Sequence, residues 1–303
     1  MTAILEFDNV VRAYSQGAPV LNGVSFNLRE GEVAGLLGRN GAGKTTLIQI
    51  AMGMLYPNSG SVRAFGLSPR RDAVAVKKRI GYVAEEQILP GPSSVAELIA
   101  FHRHLFPQWD SDLEGRILDR FGLSVKSTIM RLSKGEARAV ALLCAVCHRP
   151  ELLLLDEPAA GLDPAARREF LEVAVQFLNR EGTTILFSSH YMDDIERIGQ
   201  RAIFLDAGKV SIDSTMDRLR DEYCLALVPI RSVPDRSIFG QIPSCLRIRE
   251  AFNSWHVVLQ GAPEDVEKRL GRVLHSADVR VASMTLEELF IELMGGGRNG
   301  KHQ

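Results

Sequence analysis

Two stretches of this sequence gather residue types that can handle a chain of phosphates. The first is Gly38-Arg39-Asn40-Gly41-Ala42-Gly43-Lys44-Thr45-Thr46. Its glycines let backbone N–H groups converge on an anion, and Lys-Thr in register after the last glycine completes G-x-x-x-x-G-K-[ST]. Lys44 is expected to reach the β- and γ-phosphates of a nucleotide, and the Thr45 hydroxyl to ligate Mg²⁺. In the second stretch Leu152-Leu-Leu-Leu155 runs into Asp156-Glu157-Pro158. Adjacent carboxylates at the end of an apolar strand are costly unless a cation or a proton relieves them. Asp156 is expected to hold Mg²⁺, directly or through water, and Glu157 to polarise the attacking water near the γ-phosphate.

The elements that must position these groups are legible around them. Glu32 to Leu37 reads as a buried strand that runs into the glycine loop, and Leu47 to Met54 as the helix after it. Ile4 to Val11 and Ser25 to Leu28 read as an antiparallel edge, separated by the turn signals Gly17-Ala18-Pro19 and Asn22-Gly23. Apolar runs at Glu151 to Leu155, Thr183 to Ser188 and Ala202 to Leu205 alternate with helical stretches at Pro164 to Asn179 and Met192 to Ile198. That alternation predicts an α/β, doubly wound, P-loop NTPase core with a parallel sheet. From about residue 88 to 148 the pattern is helical, with a capping box at Ser94-x-x-Glu97, which predicts a helical insert. His102 and His104 are two apart on one helix and face different ways, so no metal pair is expected there. The nucleotide domain is placed at 1–220 and a small α+β appendage at 221–294. Its strands are read at Cys224 to Val228, His256 to Leu259 and Val279 to Ala282, with helices at Pro263 to Leu270 and after the capping box Thr285-x-x-Glu288. Residues 295–303 read as a frayed tail.

With these motifs in their order, residues 3 to 220 resemble the ATP-binding subunit of an ABC transporter. Leu132-Ser133-Lys134-Gly135-Glu136 is similar to the family's LSGGQ signature, Gly161-Leu162-Asp163 to its D-loop, and His190 after Ser188-Ser189 to its switch histidine. Tyr14 stands where the family's adenine-stacking aromatic stands. The resemblance implies an ATPase that binds ATP and Mg²⁺. Glu157 and His190 are then catalytic, and Ser133, Gly135 and Asp163 face the nucleotide held by a second such subunit, most simply another copy. The sequence departs from the family at Lys134 and Glu136, at Arg39 where proline is frequent, and at Glu85, which stands where the Q-loop glutamine is expected, with Gln87 two residues on. A carboxylate ligates Mg²⁺ as well as an amide oxygen does, so Glu85 joins Thr45 and Asp156 as a metal candidate. Ser133-x-x-Glu136 also reads as a capping box, and Asp163-Pro164 as a helix N-cap followed by a proline at the first helical position.

Composition narrows the classes further. The 303 residues are 46% hydrophobic and 24% charged, with 36 Lys plus Arg against 37 Asp plus Glu. A net charge of −1 gives no general field for nucleic acid. No apolar run approaches the roughly 20 residues of a spanning helix, and the opening Met-Thr-Ala-Ile-Leu-Glu-Phe-Asp, with acids and no basic residue, is not expected to act as a signal peptide. With no spanning run, the resemblance implies that the pore belongs to separate permease subunits and places this subunit peripherally on the cytoplasmic face of the cell membrane. The ending Thr285-Leu-Glu-Glu-Leu-Phe-Ile resembles subunits that serve exporters, so export is favoured over import. A soluble ABC ATPase of translation or DNA repair is the second class, disfavoured by a single motif set and no heptad run. A regulatory ATP-binding module is the third, suggested by the altered signature and opposed by Lys44, Asp156, Glu157 and His190. Cys144-x-x-Cys147-His148 spells a haem-attachment string but lies in an apolar helix and reads as core; Cys224 and Cys245 have no partners for a zinc site.

Overall fold

The computed structural model describes residues 3–14, 17–86, 89–178, 182–274 and 279–294. Gln87 and the 295–303 tail lie outside the described residues. The chain forms two compact units that part between Asp213 and Ser214. That is earlier than the expected break at 220. Thr215 starts a new helix by accepting from the Arg218 N–H, and Glu222 at its end accepts from the Gly261 N–H of the second unit.

The first unit opens with β1 (Ala3–Arg12) and β2 (Leu21–Arg29), followed by β3 (Val33–Leu37), α1 (Lys44–Ala51) and β4 (Ser59–Ala64). β1 pairs antiparallel with β2 on one side and with β4 on the other. β2 runs through Asn22-Gly23 because a register shift and the positive φ of Gly23 (81°) absorb the expected turn. Next come α2 (Ala73–Lys77) and β5 (Ile80–Val83), then the insert helices α3 (Val95–Leu105), α4 (Ser111–Arg120) and α5 (Lys134–Val146). The chain returns through β6 (Leu152–Leu155), α6 (Pro164–Leu178), β7 (Thr184–Ser189), α7 (Met192–Ile198), β8 (Arg201–Asp206) and β9 (Lys209–Thr215).

Six strands form the central sheet in the order β5-β6-β7-β3-β8-β9. β5, β6, β7, β3 and β8 run parallel, with Leu37 opposite Ser189 and Leu155 opposite Phe187. That register decides the site: the chain leaving β3, β6 and β7 emerges at one carboxyl edge, where sheets of this kind bind ligands. β6 can be four leucines because both its faces are covered; each is fully buried, and each such side chain contributes about 2 kcal/mol. In the insert, Ser94 and Ser133 cap α3 and α5 with complete capping boxes. Cys144 and Cys147 are buried free thiols on α5 and its end, and burial pushes the Cys144 thiol up to about 12.

The second unit contains α8 (Met216–Asp221), β10 (Tyr223–Pro229), β11 (Cys245–Ala251), β12 (Ser254–Gln260), α9 (Pro263–Leu274), β13 (Arg280–Ser283) and α10 (Leu286–Met294). Its sheet has the order β11-β12-β10-β13, antiparallel throughout. Phe239, Trp255, Val257 and Leu270 belong to its core, and the Trp255 indole N–H donates to the Val233 carbonyl at 2.7 Å. Thr285 and Glu288 make the expected reciprocal cap of α10. On that helix Glu292 is buried against Arg249 and His256.

Candidate nucleotide site

β3 delivers the glycine loop to the sheet edge, and the loop's backbone explains its glycines. Gly41 and Gly43 have φ of 82° and 106°, a region that side chains rarely enter. A Cβ on Gly38 would meet the Leu205 carbonyl oxygen at 2.6 Å. The loop ends as the N-cap of α1, where no side chain caps the helix and no acid stands in the first turn. Uncapped N–H groups at a helix start favour an anion. The loop walls a cavity of about 440 Å³ shared with Tyr14, Glu85 and Glu157.

The carboxylates are prepared by β6 and β7. Asp156 is 1% exposed; its Oδ1 accepts from the Ser188 hydroxyl at 2.8 Å, and the same Ser188 oxygen accepts from the Glu157 N–H at 2.7 Å. Burial pushes the Asp156 carboxyl above the ordinary range, against the opposing influence of the Ser188 and Thr45 hydroxyls. Its Oδ2 is buried without a hydrogen-bond partner among the described residues. Glu157 sits at φ 42°, which turns its side chain toward the loop. Oε2 shares a hydrogen bond with His190 Nδ1 at 2.8 Å, and Oε1 forms an ion pair with Lys44 Nζ at 3.0 Å. Lys44 Nζ donates to the Gly38 carbonyl at 2.7 Å. A buried carboxylate oxygen without a hydrogen bond, on a carboxylate beside the Thr45 hydroxyl, suits a hard divalent cation such as Mg²⁺. Thr45, Asp156 and Glu85 would hold it, and the loop N–H groups would hold the phosphates.

The remaining candidates divide. Tyr14 is 57% exposed, and its hydroxyl lies 3.1 Å from Thr46 Oγ1 with the Arg12 guanidinium over its ring at 5.0 Å. Arg39 is exposed, as its place in the loop suggests. Ser133, Gly135 and Asp163 stand outside the cavity of the glycine loop. Ser133 caps α5, Asp163 Oδ1 accepts from the Ala165 and Ala166 N–H groups, and Gly135 borders a separate small cavity with Leu162. Glu136 Oε2 accepts from the Ser133 N–H at 2.8 Å, which holds its carboxyl below the usual range and spends its charge on the cap.

Two residues that the sequence did not single out belong to this site. Ser188 joins both carboxylate residues, as described. Arg138, in the second turn of α5, donates to the carbonyls of Ala84 and Glu85, and burial lowers its pKa against the opposing charges of Glu85 and Asp156. It ties the helix that begins at Ser133 to the segment that places Glu85 in the loop cavity. The available signal was an arginine between Ala137 and Ala139 at the edge of an apolar run.

This fold and site are those of an ATP-hydrolysing P-loop subunit. The ABC transporter family model matches residues 21–160. The chain is 31% identical to the "Daunorubicin resistance ATP-binding protein DrrA3" of Streptomyces coeruleorubidus, over 93% of this chain and 93% of that protein. It is 33% identical to the "Methionine import ATP-binding protein MetN" of Caulobacter vibrioides, over 71% of this chain and 68% of that protein. Among solved structures, one described as the "ATP binding subunit of ABC transporter" superposes with a TM-score of 0.65 at 28% identity, covering 72% of this chain and 92% of that one. The chain belongs to the ABC transporter family, as a nucleotide-binding subunit with ATPase chemistry.

Proposed function

We propose that this subunit hydrolyses ATP as one half of a dimer that clasps two nucleotides, and that the closing and opening of that dimer drive separate permease subunits. The observation that carries the reading is the buried Asp156 Oδ2, left without a hydrogen bond among the described residues, beside the Lys44–Glu157 ion pair at the glycine loop. The loop N–H groups and Lys44 bind the phosphates. Tyr14, at the rim, stacks the base. Mg²⁺, when bound, neutralises phosphate charge during transfer. Glu157, freed from Lys44, takes a proton from the water whose oxygen attacks the γ-phosphorus as the bond to ADP breaks, and His190 holds Glu157 Oε2 in place. In a second copy the capped start of α5, with Ser133 and Gly135, and Asp163 meet the γ-phosphate side of this nucleotide.

Several features support the rest of the reading. Among the described residues no helix is long and apolar enough to cross a membrane, in keeping with a peripheral subunit on the cytoplasmic face. An apolar cavity of about 660 Å³ between β5 and the insert, lined by Tyr82, Leu89, Phe101 and Phe106, suits a docking segment of the permease beside Glu85. Export is favoured because the likeness to a resistance protein runs over 93% of the chain, second unit included, while the likeness to an import protein covers 71%. The test is ATPase activity and size-exclusion chromatography in ATP and Mg²⁺ for wild type and Glu157→Gln. An inactive variant that elutes as an ATP-dependent dimer is the expected result; a variant as active as wild type and monomeric throughout refutes the clasped dimer.

A further inference from the structure

The antiparallel side of the first unit carries a charge pattern that the nucleotide chemistry leaves unused. Residues 63 to 79 hold Arg63, Arg70, Arg71, Lys77, Lys78 and Arg79 against one acid, Asp72, in a chain of net charge −1. By composition such a run is a solvated face. The fold gathers part of it. A polar cavity of about 820 Å³ opens between the end of α1, β4 and the loop that follows, and Arg63, Arg70 and Arg71 line it with Ser61, Ser68 and Tyr56. It shares no lining residue with the cavity of the glycine loop.

Many guanidinium groups of this chain are tied to carboxylates, as Arg79 is to Glu151, Arg103 to Glu114, Arg167 to Asp194 and Arg201 to Asp213. Among the described residues Arg63, Arg70 and Arg71 make no such pair. Arg70 lies over the Tyr56 ring at 4.6 Å instead. Arg12 donates to the Tyr56 carbonyl at 3.0 Å and fixes that aromatic from behind. Asp72, the acid on the wall, is already engaged: its Oδ2 accepts from the Ser68 N–H at 3.0 Å.

Three cations on one concave wall repel one another until an anion is shared between them. The planar fork of arginine fits carboxylate and phosphate alike. A carboxylate brings one charge and two oxygens, whereas a terminal phosphate brings up to two charges and three oxygens, enough for two or three forks and a serine hydroxyl together. We propose that this cavity is a second anion site, independent of the nucleotide loop, that takes a phosphate group. Two sources supply that chemistry, the headgroup of an anionic phospholipid and a soluble phosphate ester.

The experiment compares two full-length proteins, both carrying Lys44→Ala to weaken phosphate binding at the loop, one of which also carries Arg63→Ser, Arg70→Ser and Arg71→Ser. Each is titrated with inorganic pyrophosphate and sedimented with phosphatidylcholine vesicles with and without phosphatidylglycerol, at low and physiological salt. A loss of at least about tenfold in pyrophosphate affinity in the triple arginine variant supports the site with a soluble ester as its source. An equal loss confined to the phosphatidylglycerol vesicles supports it with a lipid headgroup as its source. Equal binding by the two proteins, or binding of neither probe by the parent, overturns it. All three arginines are exposed, so the fold is expected to survive, with the thermal midpoint as the check. If that midpoint falls, Arg63→Ser alone carries the test, with an expected loss of about threefold.

Discussion

Asp156 in the first unit and Glu292 in the second are both buried carboxylates, exposed by 1% and 5%, yet their surroundings treat them in opposite ways. Glu292 receives both of its partners from inside its own unit: Arg249 donates to Oε1 and Oε2, and His256 Nδ1 lies 3.2 Å from Oε1. Burial raises its pKa, but Arg249 and His256 outweigh that effect and hold it below the usual range. Asp156 keeps an orphan oxygen, and burial wins there. A buried charge that its own chain satisfies is architecture, while one left incomplete in a cavity marks where a ligand finishes the electrostatics.

Mutations can break or sharpen this contrast. The largest effect is expected at Glu157: Glu157→Gln lowers ATP turnover by at least about 100-fold, or about 3 kcal/mol of barrier, with nucleotide binding retained. Phosphate release and a nucleotide titration check it; turnover within threefold of wild type would make Glu157 as architectural as Glu292. Next, Glu292→Gln is expected to cost about 2 kcal/mol of stability in urea, because Arg249 loses its buried partner, and to leave turnover per folded molecule unchanged. The pH dependence has a definite sign. Because Glu292 is depressed, its contribution is present above the ordinary glutamate range and is lost as pH falls through the depressed value; the variant lacks that acid-side slope.

A smaller effect is expected at the strut. Arg138→Ala frees the carbonyls of Ala84 and Glu85, lowers turnover by about tenfold and raises the Mg²⁺ concentration needed for half-maximal rate, about 1.4 kcal/mol in all. An unchanged Mg²⁺ requirement would show that Glu85 does not depend on Arg138. The smallest is a gain: Asp156→Asn is expected to stabilise the nucleotide-free protein by about 1 kcal/mol, because an incompletely paired buried charge is removed. Asp156 is raised, so its favourable contribution is complete below the ordinary aspartate range and is lost as pH rises through the elevated value. Melting curves across mild acid should therefore show a stabilisation on acidification in wild type that the variant lacks.

The glycine loop, the carboxylates after β6 and the three capping boxes were legible because each depends on residues within a few positions of one another. Strands with continuous apolar runs, such as β3 and β6, were legible for the same reason. β4 and β11 were missed: β4 is Ser-Gly-Ser-Val-Arg-Ala, mostly exposed and without the alternation of a half-buried strand, and β11 alternates only over Leu246-Arg247-Ile248-Arg249 before Glu250 breaks the pattern. Arg138 was missed for a different reason. Its partners are carbonyl groups more than fifty residues away in sequence, and a carbonyl leaves no trace in a residue pattern. Ser133 and Asp163 were legible as local caps, whereas Gly135 was reached only through the likeness to the family signature.

The contact between Lys44 and Glu157 has a kinetic side. Lys44 Nζ donates to the Gly38 carbonyl at 2.7 Å and pairs with the Glu157 carboxylate at 3.0 Å, so on the proposed reading a triphosphate that takes Lys44 competes with a ligand carried in the same chain. Part of the nucleotide's intrinsic affinity is consumed in that displacement. On that reading the displacement would act as a safety catch: the carboxylate is released to handle water only when a phosphate has already claimed the lysine.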